Sequence, residues 1–253
     1  MTSRRVFLPP SALHGDHAVL TPEARHHLVD VLRLMPGEAI EVFDGRGGAW
    51  DATLTPGLDA LALGPRREAA RPGADVRLLV ALAKGEKMDL VVQKTTELGV
   101  TAVVPFEAER SVVRLEGERA EERARRWRRI AEEAARQCGR ADVPDVLAPR
   151  TLAKALAAIP AGFALHVFHV DAPGSAATGA APAAAAAPGH ALIVGPEGGL
   201  TGGEVAACLA AGARPATLGP RVLRAETAAI VAVALAQARH GDLAGAFLDP
   251  PPR

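Results

Sequence analysis

The 253-residue chain contains no tyrosine, and two tryptophans and six phenylalanines bring its aromatic content to only 3%. Proteins that hold single strands by stacking bases on rows of rings need more than that, so a broad aromatic platform is excluded. An excess of one charge is also missing. The 29 Lys+Arg balance 29 Asp+Glu, and neither the first 71 residues nor the remainder departs from neutrality by more than one charge. That rules out a polybasic grip on nucleic acid and leaves room only for a few placed arginines and for shape. The two cysteines, Cys138 and Cys208, have no metal-ligand spacing and make no disulfide framework, which points to a reducing cytosol. His26-His27 has no further ligands at metal spacing, so no metal is expected. Met1 to Leu20 lacks the apolar core of a secretory signal. The longest apolar stretch, Ala228 to Ala238, is too short for a bilayer. The expectation is a cytoplasmic protein with no membrane partner.

What is present suggests two domains. Arg4 to Leu8 starts a short strand that Pro9-Pro10 stops. Glu23 to Leu34 reads as a helix, with Leu28, Val31, Leu32 and Met35 at helical spacing. Ala39–Phe43 and Trp50–Leu54 flank Asp44-Gly45-Arg46-Gly47-Gly48, a hairpin pattern, and Leu58–Leu63 adds a further strand. Short strands with one helix describe a small β-rich domain over 1–71. Arg66 to Gly73, charged and broken by Pro and Gly, marks the boundary.

From 72 to 253 strands and helices alternate, the pattern of an α/β domain with a mostly parallel sheet. Asp75–Ala83, a helix over Glu86–Leu98 closed by Gly99, and Thr101–Phe106 form a βαβ unit with a right-handed crossover. Glu118–Gln137 is the clearest helix. Glu121–Arg125, Glu122–Arg126, Arg128–Glu132 and Arg129–Glu133 sit four apart on its polar face, and Trp127, Ile130, Ala131, Ala134 and Cys138 form its apolar stripe. A short helix at Thr151–Ile159 and a strand at Phe163–Val170 follow. The Ala- and Pro-rich run from Asp171 to Gly189 reads as a surface loop, and residues 241–253 as a loose tail.

The chain is organised around His190–Ala238. Ala191–Val194, a strand, meets Gly195-Pro196-Glu197-Gly198-Gly199, a turn that presents mostly backbone. Thr201-Gly202-Gly203-Glu204 has capping-box spacing. One helix later a second turn, Leu218-Gly219-Pro220-Arg221-Val222-Leu223-Arg224, leads into Glu226-Thr227 and an apolar helix. Two backbone-rich turns beside two helix N-termini make a pocket wall where free amides meet a ligand. No Gly-Lys-Ser/Thr ending is present, so a nucleotide phosphate is not the expected ligand.

IVGPEGGLTGGE together with LGPRVLRAETA resembles the paired signatures of the trefoil-knotted (SPOUT) RNA methyltransferases, and most of all the 16S ribosomal RNA uridine-N3 methyltransferase (RsmE) family. RHHLVDVLRL, KGEKMDLVVQKTTELGV and ARQCGR match in order, so the resemblance runs from Arg25 to Thr227. It implies a PUA-like RNA-binding β-barrel over 1–71 and a knotted α/β methyltransferase domain over 72–253. The implied donor is S-adenosylmethionine and the acceptor N3 of a uridine in 16S rRNA of the assembled small ribosomal subunit. The implied assembly is a homodimer through the knot, one subunit's barrel serving the other's site. By position the cofactor pocket would use Val194, Gly195, Glu197, Gly198, Gly199, Leu218, Gly219, Val222, Leu223 and Thr227.

Methyl transfer needs alignment above all, because the sulfonium already carries the driving force. Uridine N3 becomes a nucleophile when it loses its proton, and a guanidinium beside the ring would stabilise the resulting anion. Arg221 and Arg224 are the candidates, and neither can act as a base. Arg221 could also be an inward donor to its own turn. Glu226 could take the proton or serve only as a favourable charge at a helix N-terminus. Glu197 could touch cofactor or partner, or satisfy amides of its turn. Arg4, Arg5, Arg25, His26 and Arg33 would contact RNA, with Lys84, Lys87, Arg110 and Arg114 extending the set. Two other functions fit the same features: a related knotted enzyme acting on tRNA or a ribose 2′-hydroxyl, and a non-catalytic ribosomal RNA-binding assembly factor.

Overall fold

The computed structural model describes residues 4–69, 73–169 and 187–244. Most of the expected Asp171–Gly189 loop, and the tail from 245 onward, therefore lie outside the described residues. The chain divides into two compact units. The first holds Met1–Arg71 with Glu132–Val143, and the second Pro72–Ala131 with Pro144–Arg253. Residues 132–143 thus group with the first unit, although they stand far from it in sequence.

The first unit contains β1 (Arg5–Phe7), β2 (Leu13–His14), β3 (His17–Val19), α1 (Pro22–Arg25), β4 (Ala39–Phe43), β5 (Gly48–Leu54), β6 (Ala60–Leu63) and β7 (Arg67–Glu68). Its sheet runs β1-β4-β5-β6-β3-β2, with β7 on β5. β1 pairs with β4 in parallel and the other pairs are antiparallel, giving a curled, mixed half-barrel. The expected hairpin is β4–β5, with Phe43 opposite Ala49. Asp44 closes it by accepting from the amides of Arg46 and Gly48. Alternation along β4 and β5 sends Ile40, Val42, Trp50, Ala52 and Leu54 into one core with Leu8, Leu28 and Leu61. Phe43 and Ala49 pack instead with Ala135 and Ala141, which is why 132–143 belongs to this unit.

The helix expected over Glu23–Leu34 is cut short. α1 is capped by Thr21, whose hydroxyl accepts from the Ala24 amide, but His26–Val31 is π-helical. There the Leu32 amide reaches back five residues to the His27 carbonyl. The wider turn changes the helical phase. Leu28 and Leu34 are buried, while Val31, Leu32 and Met35, expected on the same inward face, are exposed.

The second unit contains β8 (Asp75–Ala81), α2 (Lys87–Glu97), β9 (Ala102–Glu107), α3 (Gly117–Cys138, whose last turns join the first unit), β10 (Asp145–Val146), β11 (Arg150–Thr151), α4 (Leu152–Ala157), β12 (Ala164–Phe168), β13 (Gly189–Val194), α5 (Gly202–Ala210), β14 (Arg214–Ala216) and α6 (Ala225–His240). Its sheet runs β10-β9-β8-β13-β12-β14, with β11 on β9, and every pairing is parallel. The strand buried at every position, β13, lies between β8 and β12, as continuous apolar runs do in parallel sheets. β14 gave no expected signal: Arg-Pro-Ala is a poor strand sequence, admitted because it lies on the sheet edge beside β12. The α3 stripe holds at Trp127, Ala131 and Ala134, but Cys138 is exposed. Its arginines are engaged beyond their own helix as well: Arg126 and the Trp127 indole donate to Asp89, and Arg128 to the Val146 carbonyl. Among the described residues no helix is long and apolar enough to cross a membrane, and none group into a metal site.

Candidate functional site

Parallel sheets place their ligand sites beyond the carboxyl ends of the strands, and a cavity of about 980 Å³ opens there in the second unit. Phe168 ends β12 and His169 follows it, Val194 ends β13 and Gly195 follows it, and Ala216 ends β14; all five line it. Two turns form most of the wall. The first, Gly195–Gly199, is a tight loop in which the Gly199 amide donates to the Pro196 carbonyl. Gly199 sits at φ 71°, a left-handed backbone that favours glycine. Gly195 is restricted by space: a Cβ there would lie 2.9 Å from Leu200 Cγ and 3.1 Å from the Leu200 amide nitrogen. The second turn, Thr217–Arg224, crosses φ 100° at Gly219 and is braced by the Thr217 hydroxyl donating to the Gly219 carbonyl.

The turns are fixed from behind. The Thr201 hydroxyl accepts from the Glu204 amide, and the Glu204 carboxylate accepts from the Thr201 amide, the full capping box. The other Glu204 oxygen accepts from the Glu109 amide, which ties the start of α5 to the loop after β9. Arg110 adds a bond to the Gly198 carbonyl. Lys87, the first residue of α2, lies 2.7 Å from Glu197 and 3.6 Å from Glu226. Lys87 holds the Glu197 carboxyl below its ordinary range, and Glu197 in turn is the main cause of the raised Lys87 ammonium.

Of the ten expected cofactor residues, nine line the cavity: Val194, Gly195, Glu197, Gly198, Gly199, Leu218, Gly219, Val222 and Leu223. Thr227, the third residue of α6, does not, although its neighbour Ala228 does. Arg221 and Arg224 both line the cavity and are exposed. Neither makes an ion pair among the described residues, so Arg221 is not an inward donor. Arg224 is the N-cap of α6, which points the positive end of that helix toward the same space. Glu226 is not on the wall. It sits in the first turn of α6 with its carboxylate toward Lys87, the position expected of a helix-start charge. No sequence signal marked Arg110, Phe168, His169 or Leu200 as lining residues. The strand-end rule could have found Phe168 and His169, had the expected strand ended at Phe168 rather than Val170.

The expected RNA set is not of one kind. Arg4, Arg25, His26, Arg33, Lys84 and Arg114 are exposed, with Arg4 paired to Glu38 and His26 to Asp30. Arg33 holds φ 53° just past the π-helical turn. Arg5 is a correction. Only 8% exposed, it donates to Glu41 and to the carbonyls of Ala135 and Arg136 and lies over the Phe43 ring, so it holds the first unit together. Arg110 lines the cavity of the second unit, and Lys87 stands behind its wall, paired with Glu197.

This geometry fits a neutral, flat ring read by backbone amides and carbonyls, joined to a flexible cationic portion. The wall is rich in free backbone, and Glu197 is the only carboxylate among the described residues that line it.

The sequence matches a family model described as an RNA methyltransferase domain over residues 70–237 and an RNA methyltransferase PUA domain over 20–58. It is 36% identical over 228 residues to Ribosomal RNA small subunit methyltransferase E of Mycobacterium tuberculosis, covering 87% of this chain and 85% of that one. It is 34% identical over 236 residues to the protein of that name from Synechocystis sp., covering 91% and 76%. Among solved structures, Ribosomal RNA small subunit methyltransferase E of Neisseria gonorrhoeae bound to S-adenosyl methionine superposes with a TM-score of 0.84 at 33% identity, over 95% of this chain and 99% of that one. With its parallel sheet, its two glycine turns and a half-barrel ahead of them, the chain belongs to the ribosomal RNA small subunit methyltransferase E family of SPOUT methyltransferases.

Proposed function

We propose that the protein transfers the methyl group of S-adenosylmethionine to N3 of a uridine in 16S ribosomal RNA of the small subunit. The observation that carries this is the cavity itself. Two backbone-rich turns line one space, and the second carries two exposed arginines, Arg221 and Arg224, without ion-pair partners among the described residues. When bound, the cofactor supplies an activated methyl group; the chain's residues do the rest. Gly195, Gly198, Gly199, Leu218, Gly219, Val222 and Leu223 hold the adenosine portion, and Val194 closes the pocket floor. Arg221 and Arg224 meet the uracil oxygens on which charge builds as N3 is deprotonated. The pairing of Glu226 with Lys87 favours a base other than Glu226, water included.

Arg4, Arg25, His26, Arg33, Lys84 and Arg114 are the proposed RNA contacts, and 1–71 with 132–143 the RNA-binding module. The protein acts as a cytoplasmic homodimer. Leu90 on α2 and Leu235 on α6 are 41% and 54% exposed on two helices that pack together, an apolar surface suited to a second copy.

The test is transfer of labelled methyl from S-adenosylmethionine to small subunits lacking the modification, with mass analysis of the nucleosides. N3-methyluridine is the expected product. Label on another nucleoside would replace the acceptor, cofactor binding without transfer would point to a different substrate, and absence of cofactor binding as well would favour an assembly factor.

A further inference from the structure

Lys87 does not line the cavity, yet its ammonium stands between two carboxylates that belong to the two turns. Its Nζ lies 2.7 Å from Glu197 Oε1, on the first turn, and 3.6 Å from Glu226 Oε2, just past the second. The second distance is within ion-pair range and outside hydrogen-bond range. Glu226 Oε2 is buried and has no hydrogen-bond partner among the described residues, and the Glu226 side chain is only 12% exposed. A buried carboxylate oxygen left without a donor is costly, so it is a ready acceptor. Glu197 is in the opposite situation. It lines the cavity, it is 42% exposed, and its charge is already neutralised by Lys87.

S-adenosylmethionine brings a sulfonium and an ammonium to the cavity, and Glu197 is the only carboxylate on the described wall. The ligand and Lys87 therefore compete for Glu197. A shift of the lysine Nζ by about half an ångström would bring it into hydrogen-bond range of Glu226. We propose that Lys87 is a positioning residue that exchanges partners, held by Glu197 before the cationic ligand arrives and by Glu226 once the ligand has taken Glu197. This rests on the reading of the cavity as a site for S-adenosylmethionine. The exchange keeps both carboxylates compensated in both states, and it couples cofactor entry to the start of α6, where Arg224 is the N-cap.

An exchange and a fixed brace make opposite predictions. If Lys87 only braces the turns, removing either of its contacts weakens ligand binding. If it exchanges, Lys87→Met removes the ligand's competitor and tightens S-adenosylmethionine binding, whereas Glu226→Gln removes the lysine's second partner and weakens it. Titration calorimetry on the full chain, with S-adenosylmethionine and with uncharged adenosine, separates the two. The expected result is about a threefold or larger change in opposite directions for the two variants, the scale of one partly exposed ion pair. Adenosine affinity should be unchanged in both, and Lys87→Arg should bind like the native chain. Weaker S-adenosylmethionine binding by Lys87→Met, or loss of adenosine binding in that variant, would overturn the exchange. Failure of the native chain to bind S-adenosylmethionine would remove the cofactor reading, and the exchange would fall with it.

Discussion

Arg221 and Arg224 are exposed guanidiniums at the cavity wall without ion-pair partners among the described residues. Arginines so placed have a charge to give to something that is not part of the chain. Arg224→Ala should lower kcat by about 100-fold, the scale of losing one donor to a developing anion, while calorimetric affinity for S-adenosylmethionine changes little. Equal loss of both would make Arg224 a structural cap. Gly195 is the stricter of the cavity glycines. An added Cβ would press on the Leu200 backbone at 3.1 Å and side chain at 2.9 Å, whereas at Gly198 its nearest contact would be Arg110 Cβ at 3.3 Å. Gly195→Ala should cost about 1–3 kcal/mol of stability by overpacking and weaken the cofactor, both visible in a thermal shift with and without ligand. At this scale sequence showed which residue types mattered better than where their side chains went. Arg5 and Lys87 sit in motifs rich in basic residues, but their partners, Glu41 and Glu197, are brought close only by tertiary pairing.

At the scale of elements, local chemistry was legible where it is local. The capping box at Thr201–Glu204, the β4–β5 hairpin and the β8–α2–β9 unit follow from spacing and turn residues alone. The π-helical turn at His26–Val31 was not legible, because a 3.6-residue period has no way to register one extra residue in a turn. β14 was missed because its pairing comes from β12, not from its own composition. One element-level prediction concerns the end of α6. His240 stacks on His190 with centroids 4.0 Å apart, and His190 on His166 at 5.8 Å, with Arg214 and Arg239 nearby. Burial, then the charges of His240, His166 and Arg239, push the His190 pKa down to about 4. Burial is also the first cause of the lowered values at His166 and His240. The unfolded chain protonates His190 near its ordinary 6.5 and the folded one only near 4. The stability that depends on neutral His190 is therefore complete above about pH 6.5 and is lost as pH falls toward 4, and the lowered values at His166 and His240 act in the same direction. The melting temperature should drop by about 5 °C across that window, and His190→Phe should remove much of that slope.

For the whole molecule, balanced composition and alternation pointed to a β-rich part followed by an α/β part, and the strand pairings agree with both descriptions. The sheet order β9-β8-β13-β12 could not be read from periodicity, which says that strands are parallel but not which are neighbours. The proposed dimer carries a prediction at this scale. Light scattering at micromolar concentration should give twice the 26.1 kDa chain mass, and Leu235→Glu should shift it toward a single chain.

The packing of Phe43 and Ala49 on Ala135 and Ala141 has a consequence for the order of events during synthesis. A chain emerging from the ribosome will have made all of β1–β7 well before the residues that cover one side of them exist. Until translation passes Val143, that side stays greasy and Arg5 lacks the carbonyls of Ala135 and Arg136 that it binds in the finished protein. A nascent fragment ending at Arg71 should therefore bind a hydrophobic dye and melt without a sharp transition. The first part of the protein to be made would then be finished only after translation is past its midpoint, which makes the early chain a client for chaperones rather than an independent folder.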